Sequence, residues 1–251
     1  MADNPLEQFK IERQAELSLG GFDVSFTNSS MWMLIILLAL TVFFVGGMRK
    51  RALVPGRWQV MVESLYEMIA GMVRDGMGKE GKAYFPLVFT LFMFILAANM
   101  AGMLPIPHPF TVTSHIAITA TLALFVFFFV TILGFIKHGF GFLRLFVPSG
   151  VPLWLMPLLV PIELISYLSR PLSHSVRLFA NMTAGHIMLK VFGGFVVALG
   201  SLGGVFAASA ILPFAFNIFL TALELLVAFL QAYVFAILTC LYLNDALHPG
   251  H

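Results

Sequence analysis

An all-α bundle embedded in a lipid bilayer is what this chain's composition calls for. Of its 251 residues, 60% are hydrophobic and only 10% are charged, and the mean hydropathy is +0.96. An average soluble domain is roughly 45–50% apolar and about 25% charged, so most of this chain must face something other than water. The 27 phenylalanines, with no ten-residue alternation of polar and apolar positions, favour helices over the strands of a barrel. A net charge of +2 without clustering of basic and aromatic residues argues against nucleic acid as a partner. The lone cysteine, Cys240, excludes an internal disulfide framework and reads as a packed thiol in an apolar run.

Residues 1–28 are polar and mixed in sign, without the basic start and short apolar core of a signal peptide, and form an expected extramembrane tail. The first span is Met31–Val45, MWMLIILLALTVFFV, ended by Gly46, Gly47 and the basic cluster Arg49, Lys50 and Arg51. From Trp58 the periodicity changes. Trp58, Met61, Val62, Leu65, Met68, Ile69, Met72 and Val73 make one apolar stripe at helical spacing, with Gln59, Glu63, Glu67 and Arg74 on the other positions. That pattern predicts an amphipathic helix lying on the membrane surface. Tyr84–Met103 and Ile116–Ile136 are two further spans. The linker between them, LPIPHPFTVTSH, holds no Lys or Arg, whereas the linkers on the opposite side hold Arg57, Arg74, Lys79, Lys82, Lys137 and Arg144 besides the 49–51 cluster. The positive-inside rule then puts those basic loops in the cytoplasm and the N-terminus outside.

The last two apolar blocks, Pro152–Leu199 and Val205–Tyr242, flank GSLGG. Each would be on the order of 60–70 Å long as one helix, about twice the hydrocarbon thickness. Each must tilt steeply, bend at Pro171 or Pro213, or break; the short GSLGG favours a hairpin of two long oblique helices over 152–245. Residues 29–251 thus form a single transmembrane helical domain with five crossings and a cytoplasmic C-terminus.

A polar stripe crosses this oily hairpin. Placed at 100° per residue, Glu163, Ser166, Arg170, Ser173 and Asn181 fall within about 40° of Arg177, and His186 falls about half a turn away. On the partner helix, Asn217, Glu224 and Gln231 recur every seven residues, with Thr221 beside them. A charge at mid-bilayer costs roughly 2.5–3.5 kcal/mol on insertion scales and marks function by default. Bland readings compete: serines and threonines bond back to their own helix or glue neighbours, Arg170 snorkels to the cytoplasmic surface, and Arg177 forms a structural ion pair with Glu224 or Glu163. His108, His115, His138, His248 and His251 fall in loops or the tail, where surface positions are expected; Lys190 fits no simple reading. Two polar routes on different faces, separated by Arg177, describe offset half-channels around a fixed positive charge. Arginine stays protonated at cellular pH and cannot relay a proton, whereas burial and proximity are able to bring His and Glu near the working range.

These residues carry a resemblance. The stretches PIELISYLSRPLSHSVRLFANMTAGH (161–186) and LELLVAFLQAYVFAILTCLYLNDA (223–246), with NMAGMLP (99–105) as a weaker match, resemble the subunit a family of F-type rotary ATP synthases. ANMTAGH and FLQAYVF are similar to its alphaproteobacterial and mitochondrial branch. The resemblance implies a membrane component that is no enzyme by itself and that couples proton flow to rotation of a c-subunit ring and ATP synthesis. It implies that Arg177 meets the ring's carboxylates, that Asn181 and Gln231 flank it, that His186 and Glu224 form the outer half-channel pair, and that Glu163, Ser166 and Ser173 line the cytoplasmic route. The implied partners are the c ring, the peripheral-stalk b subunits and membrane lipid, and the implied location is a bacterial inner membrane; no metal or cofactor is implied. A secondary transporter is disfavoured because no internal repeat relates the two halves. A bis-histidine haem site is disfavoured because His174 and His186 lie about 18 Å apart along a helix and on different faces.

Overall fold

The structure, a computed structural model, describes residues 9–16, 18–19, 22–23, 25–49, 52–104, 110–147 and 152–249. Seven α-helices occur among them: α1 (Asn28–Met48), α2 (Arg57–Met77), α3 (Phe85–Ala101), α4 (Ile116–His138), α5 (Met156–Ser201), α6 (Gly204–Ser209) and α7 (Ile211–Leu247). Lys50, Arg51, His108 and His251 lie outside the described residues. Four stretches are long and apolar enough to cross a membrane, 28–48, 116–146, 156–201 and 204–247, and α3 is a shorter apolar helix of 17 residues. The chain is a multi-pass, all-helical membrane protein apart from its N-terminal tail.

That tail is not featureless. Strands β1 (Arg13–Ala15), β2 (Ser18–Leu19), β3 (Phe22–Asp23) and β4 (Phe26–Thr27) pair as nested antiparallel ladders, β2 with β3 inside β1 with β4. Asn28 closes the outer ladder at the start of α1: its Nδ2 donates to the Lys10 carbonyl at 3.0 Å and its Oδ1 accepts from the Glu12 and Ser29 amides.

Two compact units make up the chain. In unit 2 (42–93, 116–177 and 232–251), α2 buries Val62, Ile69, Met72, Val73 and Met77. The expected stripe is therefore a helix, but its face is rotated. Trp58 remains 50% exposed, with its Nε1 donating to the Phe43 carbonyl, and Gln59, expected on the polar side, is buried. Gln59 is tolerated inside because its amide serves both backbone groups of Ala52 and donates to Glu63, which leaves no orphaned buried polar atom. Val88, Leu91 and Phe92 of α3 and Phe235, Ala236, Cys240 and Leu243 of α7 complete this core.

In unit 1 (1–41, 94–115 and 178–231), the second half of α5 runs antiparallel to α6 and the first half of α7. Phe192 meets Phe216, and His186, further back on α5, meets Glu224, further on in α7. Gly203 and Gly204 make the turn with φ of 70° and 56°, the left-handed region where glycine alone is unstrained. Of the alternatives open to the two long blocks, the second breaks at Ala210 into α6 and α7. α5 runs unbroken through Pro171, and Pro213 sits in the first turn of α7, where its missing N–H would have had no helical acceptor. At 46 residues α5 would be about 69 Å long.

Candidate functional site

Helical periodicity alone put Glu163, Ser166, Arg170, Ser173, Arg177 and Asn181 on one side of α5, and the chain leaves most of that side uncovered. Ser166, Ser173, Arg177 and Asn181 are exposed and Glu163 is half-buried. Arg177 makes no hydrogen bond or ion pair among the described residues, so neither Glu163 nor Glu224 neutralises it there. Threonines on α4 and α7 do structural work. Thr131, Thr221 and Thr239 each donate to the carbonyl four residues back.

Arg170 departs from the expected snorkelling. Its guanidinium donates to Asp245 Oδ2 at 3.0 Å and lies over the rings of Tyr167 and Tyr242, 5.2 and 4.8 Å from their centroids. A guanidinium is weakly hydrated and planar, so it stacks on rings and bridges to a carboxylate together. His174 is buried beside this clamp, with its Nε2 3.1 Å from the Tyr242 hydroxyl. Because Arg170 and Asp245 are only partly shielded, at 20% and 37% side-chain exposure, losing the pair costs less than breaking a fully buried one. Asp245→Asn is therefore expected to cost about 1–2 kcal/mol and to lower the thermal midpoint of the detergent-purified chain by roughly 2–6 °C, with Asp245→Glu recovering most of the loss.

The polar centre of unit 1 is buried. His186 and Glu224 are 6% and 5% exposed, and His186 Nδ1 lies against Glu224 Oε1 as an ion-pairing contact. Glu224 Oε2 is buried and has no hydrogen-bond partner among the described residues. A buried carboxylate oxygen of this kind needs a proton or an outside donor. A Cβ on Gly185 would press against Glu224 Oε1, so this glycine gives the carboxylate its room. Asn217 is half-buried, with its Oδ1 buried and without a hydrogen-bond partner among the described residues, and Gln231 is half-buried. Lys190 is exposed.

The sequence reading missed the other wall of this centre. Phe110, Thr111, Val112, Thr113 and Ser114, expected in an outer loop, are all buried. Asn99 Nδ2 donates to the Ala228 carbonyl and Asn99 Oδ1 accepts from Thr113 Oγ1 at 2.7 Å. Thr111 Oγ1 reaches His186 Nε2. The only advance signal was TVTS itself, four residues without charge between a proline and a span. Of the expected surface histidines, His138 and His248 are exposed, whereas His115 is half-buried. His138 Nε2 bonds the Leu247 carbonyl, and His115 stacks on Phe110 with its Nε2 buried. Burial holds His115 below the ordinary imidazole pKa, because a charged ring there would lose its hydration.

Comparison with known proteins places this chain in a lineage. Residues 29–244 match the family described as ATP synthase A chain. The chain belongs to the ATP synthase A chain family. It is 58% identical over 248 residues to "ATP synthase subunit a" of Parvibaculum lavamentivorans, covering 99% of this chain and 95% of that one. It is likewise 58% identical to the protein of that name from a Chelativorans species and 56% identical to that from Pelagibacter ubique, with full coverage of both chains in each case. These relatives are alphaproteobacterial. Members of this family are membrane components of ATP synthase and not enzymes by themselves.

Proposed function

We propose that this chain is the proton-translocating stator subunit of a rotary ATP synthase, in which Arg177 faces the carboxylates of a c-subunit ring and separates two half-channels. One observation carries the reading: a permanent cation lies exposed on an apolar helix, with no hydrogen bond or ion pair among the described residues. A guanidinium at membrane depth needs an anion, and here the anion belongs to a neighbouring polypeptide that presents one at each step. Ser166, Ser173 and Glu163 line the route to the cytoplasm; His186 and Glu224, with Asn217 beside them, form the outer route; Asn181 and Gln231 flank the arginine. The c ring, the peripheral-stalk b subunits and the rest of the complex are its partners. A single proton crossing about 100 mV releases only roughly 2.3 kcal/mol, so several crossings serve each ATP.

Residues 29–251 make one transmembrane region with five crossings, and 1–28 lie outside the membrane. The fifth crossing is α3, whose 17 residues reach about 26 Å, near the lower limit for a span. Contacts within unit 2 support this count. Glu80 lies 3.7 Å from Lys137 and 3.9 Å from His248, and His138 meets Leu247, so the chain returns to one end after α3 with α4 and again after α5 with α7. That end carries the basic loops, which makes it cytoplasmic in a bacterial inner membrane and leaves the N-terminus periplasmic. α2 then lies along the cytoplasmic surface.

Cross-linking tests the reading. Cysteines at Ser166 and Ser173 are expected to form disulfides with cysteines on the outer helices of the c ring in isolated membranes. A cysteine at Leu172, exposed but about 140° round the helix from Arg177, is expected to stay silent. Cross-links confined to position 172 would turn the proposed face away from the rotor.

A further inference from the structure

We propose that Thr111 is a positioning residue for the His186–Glu224 pair, holding the imidazole through Nε2 in every protonation state the pair passes through; this rests on the proton role proposed above for the pair. Thr111 is 4% exposed, and its Oγ1 contacts His186 Nε2 while Nδ1 of the same ring faces Glu224. Both ring nitrogens are thus engaged, from opposite edges and by groups of different chemistry.

The chemistry of the three partners explains why a hydroxyl stands at this position. An ionised carboxylate only accepts, so beside it Nδ1 carries the hydrogen and Nε2 is left with a lone pair that needs a donor. When Glu224 takes up a proton, its O–H can donate to Nδ1, and Nε2 then carries the hydrogen and needs an acceptor. When the imidazole is charged, Nε2 also needs an acceptor. A carbonyl or an ammonium meets only one of these needs. A hydroxyl meets all of them by rotating about its C–O bond, so the ring stays aimed at Glu224 while protons move.

The backbone around Thr111 is fixed accordingly. Its carbonyl accepts from the Ser114 amide at 3.1 Å and from Ser114 Oγ at 2.6 Å. Two residues on, Thr113 is tied through Asn99 to the Ala228 carbonyl of α7, one turn after Glu224. Gly102 completes the setting. A Cβ there would overlap both Thr111 Oγ1 and His186 Nε2, so a glycine is what lets hydroxyl and ring meet.

The test is made in the whole ATP synthase, in inverted membrane vesicles, by ATP-driven proton pumping and by passive proton conduction after the soluble sector is stripped away. Thr111→Val keeps the shape and removes the hydroxyl. It is expected to slow both processes at least about tenfold with normal amounts of the subunit in the membrane, while Thr111→Ser stays within about twofold of the parent. A residue acting only through the imidazole adds nothing once the imidazole is gone, so Thr111→Val in a His186→Ala background is expected to conduct no worse than His186→Ala alone. If Val lowers subunit levels, the smaller Thr111→Ala makes the same comparison. Parental conduction in Thr111→Val, with His186→Ala impaired, overturns the assignment of Thr111 and leaves the pair standing. Normal conduction in His186→Ala overturns the pair and Thr111 with it. A loss in Thr111→Val that Ser fails to rescue, or that adds fully to His186→Ala, reduces Thr111 to packing and overturns the assignment.

Discussion

Replacing Arg177 by alanine is expected to abolish ATP-driven proton pumping while leaving the subunit in the assembled complex. The two halves of that result have separate physical causes. The side chain is exposed and makes no hydrogen bond or ion pair among the described residues, so its removal orphans no partner and opens no cavity. Substitutions of that kind usually change folding stability by no more than about 0.5 kcal/mol. Under the proposed gating role, pumping fails because the fixed charge makes each ring carboxylate release its proton on one side before it takes another from the other side. Without it, a protonated carboxylate can pass directly between the two routes, and vesicles are expected to gain a passive leak. Arg177→Lys is expected not to restore coupling, because a compact, strongly hydrated ammonium on a flexible stem does not reproduce the planar fork. Quenching of a pH-sensitive dye in inverted vesicles measures the pumping, and immunoblotting of purified complex measures the assembly. Coupled pumping by the alanine variant would contradict the gating role.

The parts of this architecture that were legible in the sequence are those governed by local periodicity and by length. α1, α4 and the paired long helices announce themselves as apolar runs, and GSLGG announces the turn that Gly203 and Gly204 make. The uncovered stripe of Ser166, Ser173, Arg177 and Asn181 follows from 100° per residue on one helix. Contacts between distant segments were not legible. The Arg170–Asp245 clamp and the Thr111–His186 contact each join residues 75 positions apart, and no periodicity encodes such a pairing. Gln59 was misplaced for a related reason: a polar residue on an apolar stripe reads as surface until its backbone partner, Ala52, is known. The ladders of the tail were hidden because strands of two or three residues are too short to show an alternation.

Exchanging His186 and Glu224 for one another in a single chain is expected to be less harmful than either substitution alone. His186→Glu by itself places two carboxylates in one buried pocket, and like charges there cannot both ionise without a large penalty. Glu224→His by itself places two imidazoles there, which can share a hydrogen bond but leave no carboxylate to balance the charge when either takes up a proton. Each single variant is thus expected to lose pumping by about tenfold or more. The double variant keeps one imidazole and one carboxylate in contact and leaves the combined volume unchanged, which matters where Gly185 has only just enough room for Glu224. Recovery will be partial: a carboxylate at 186 can accept from Thr111 but cannot serve Oγ1 and the ring at 224 with the geometry an imidazole has. Pumping rates of the parent, the two single variants and the double variant close a thermodynamic cycle, and direct contact predicts a coupling of at least about 1 kcal/mol. Strictly additive defects would mean that the two groups move protons independently, and would dismantle the outer half-channel as a unit while leaving the case for Arg177 intact.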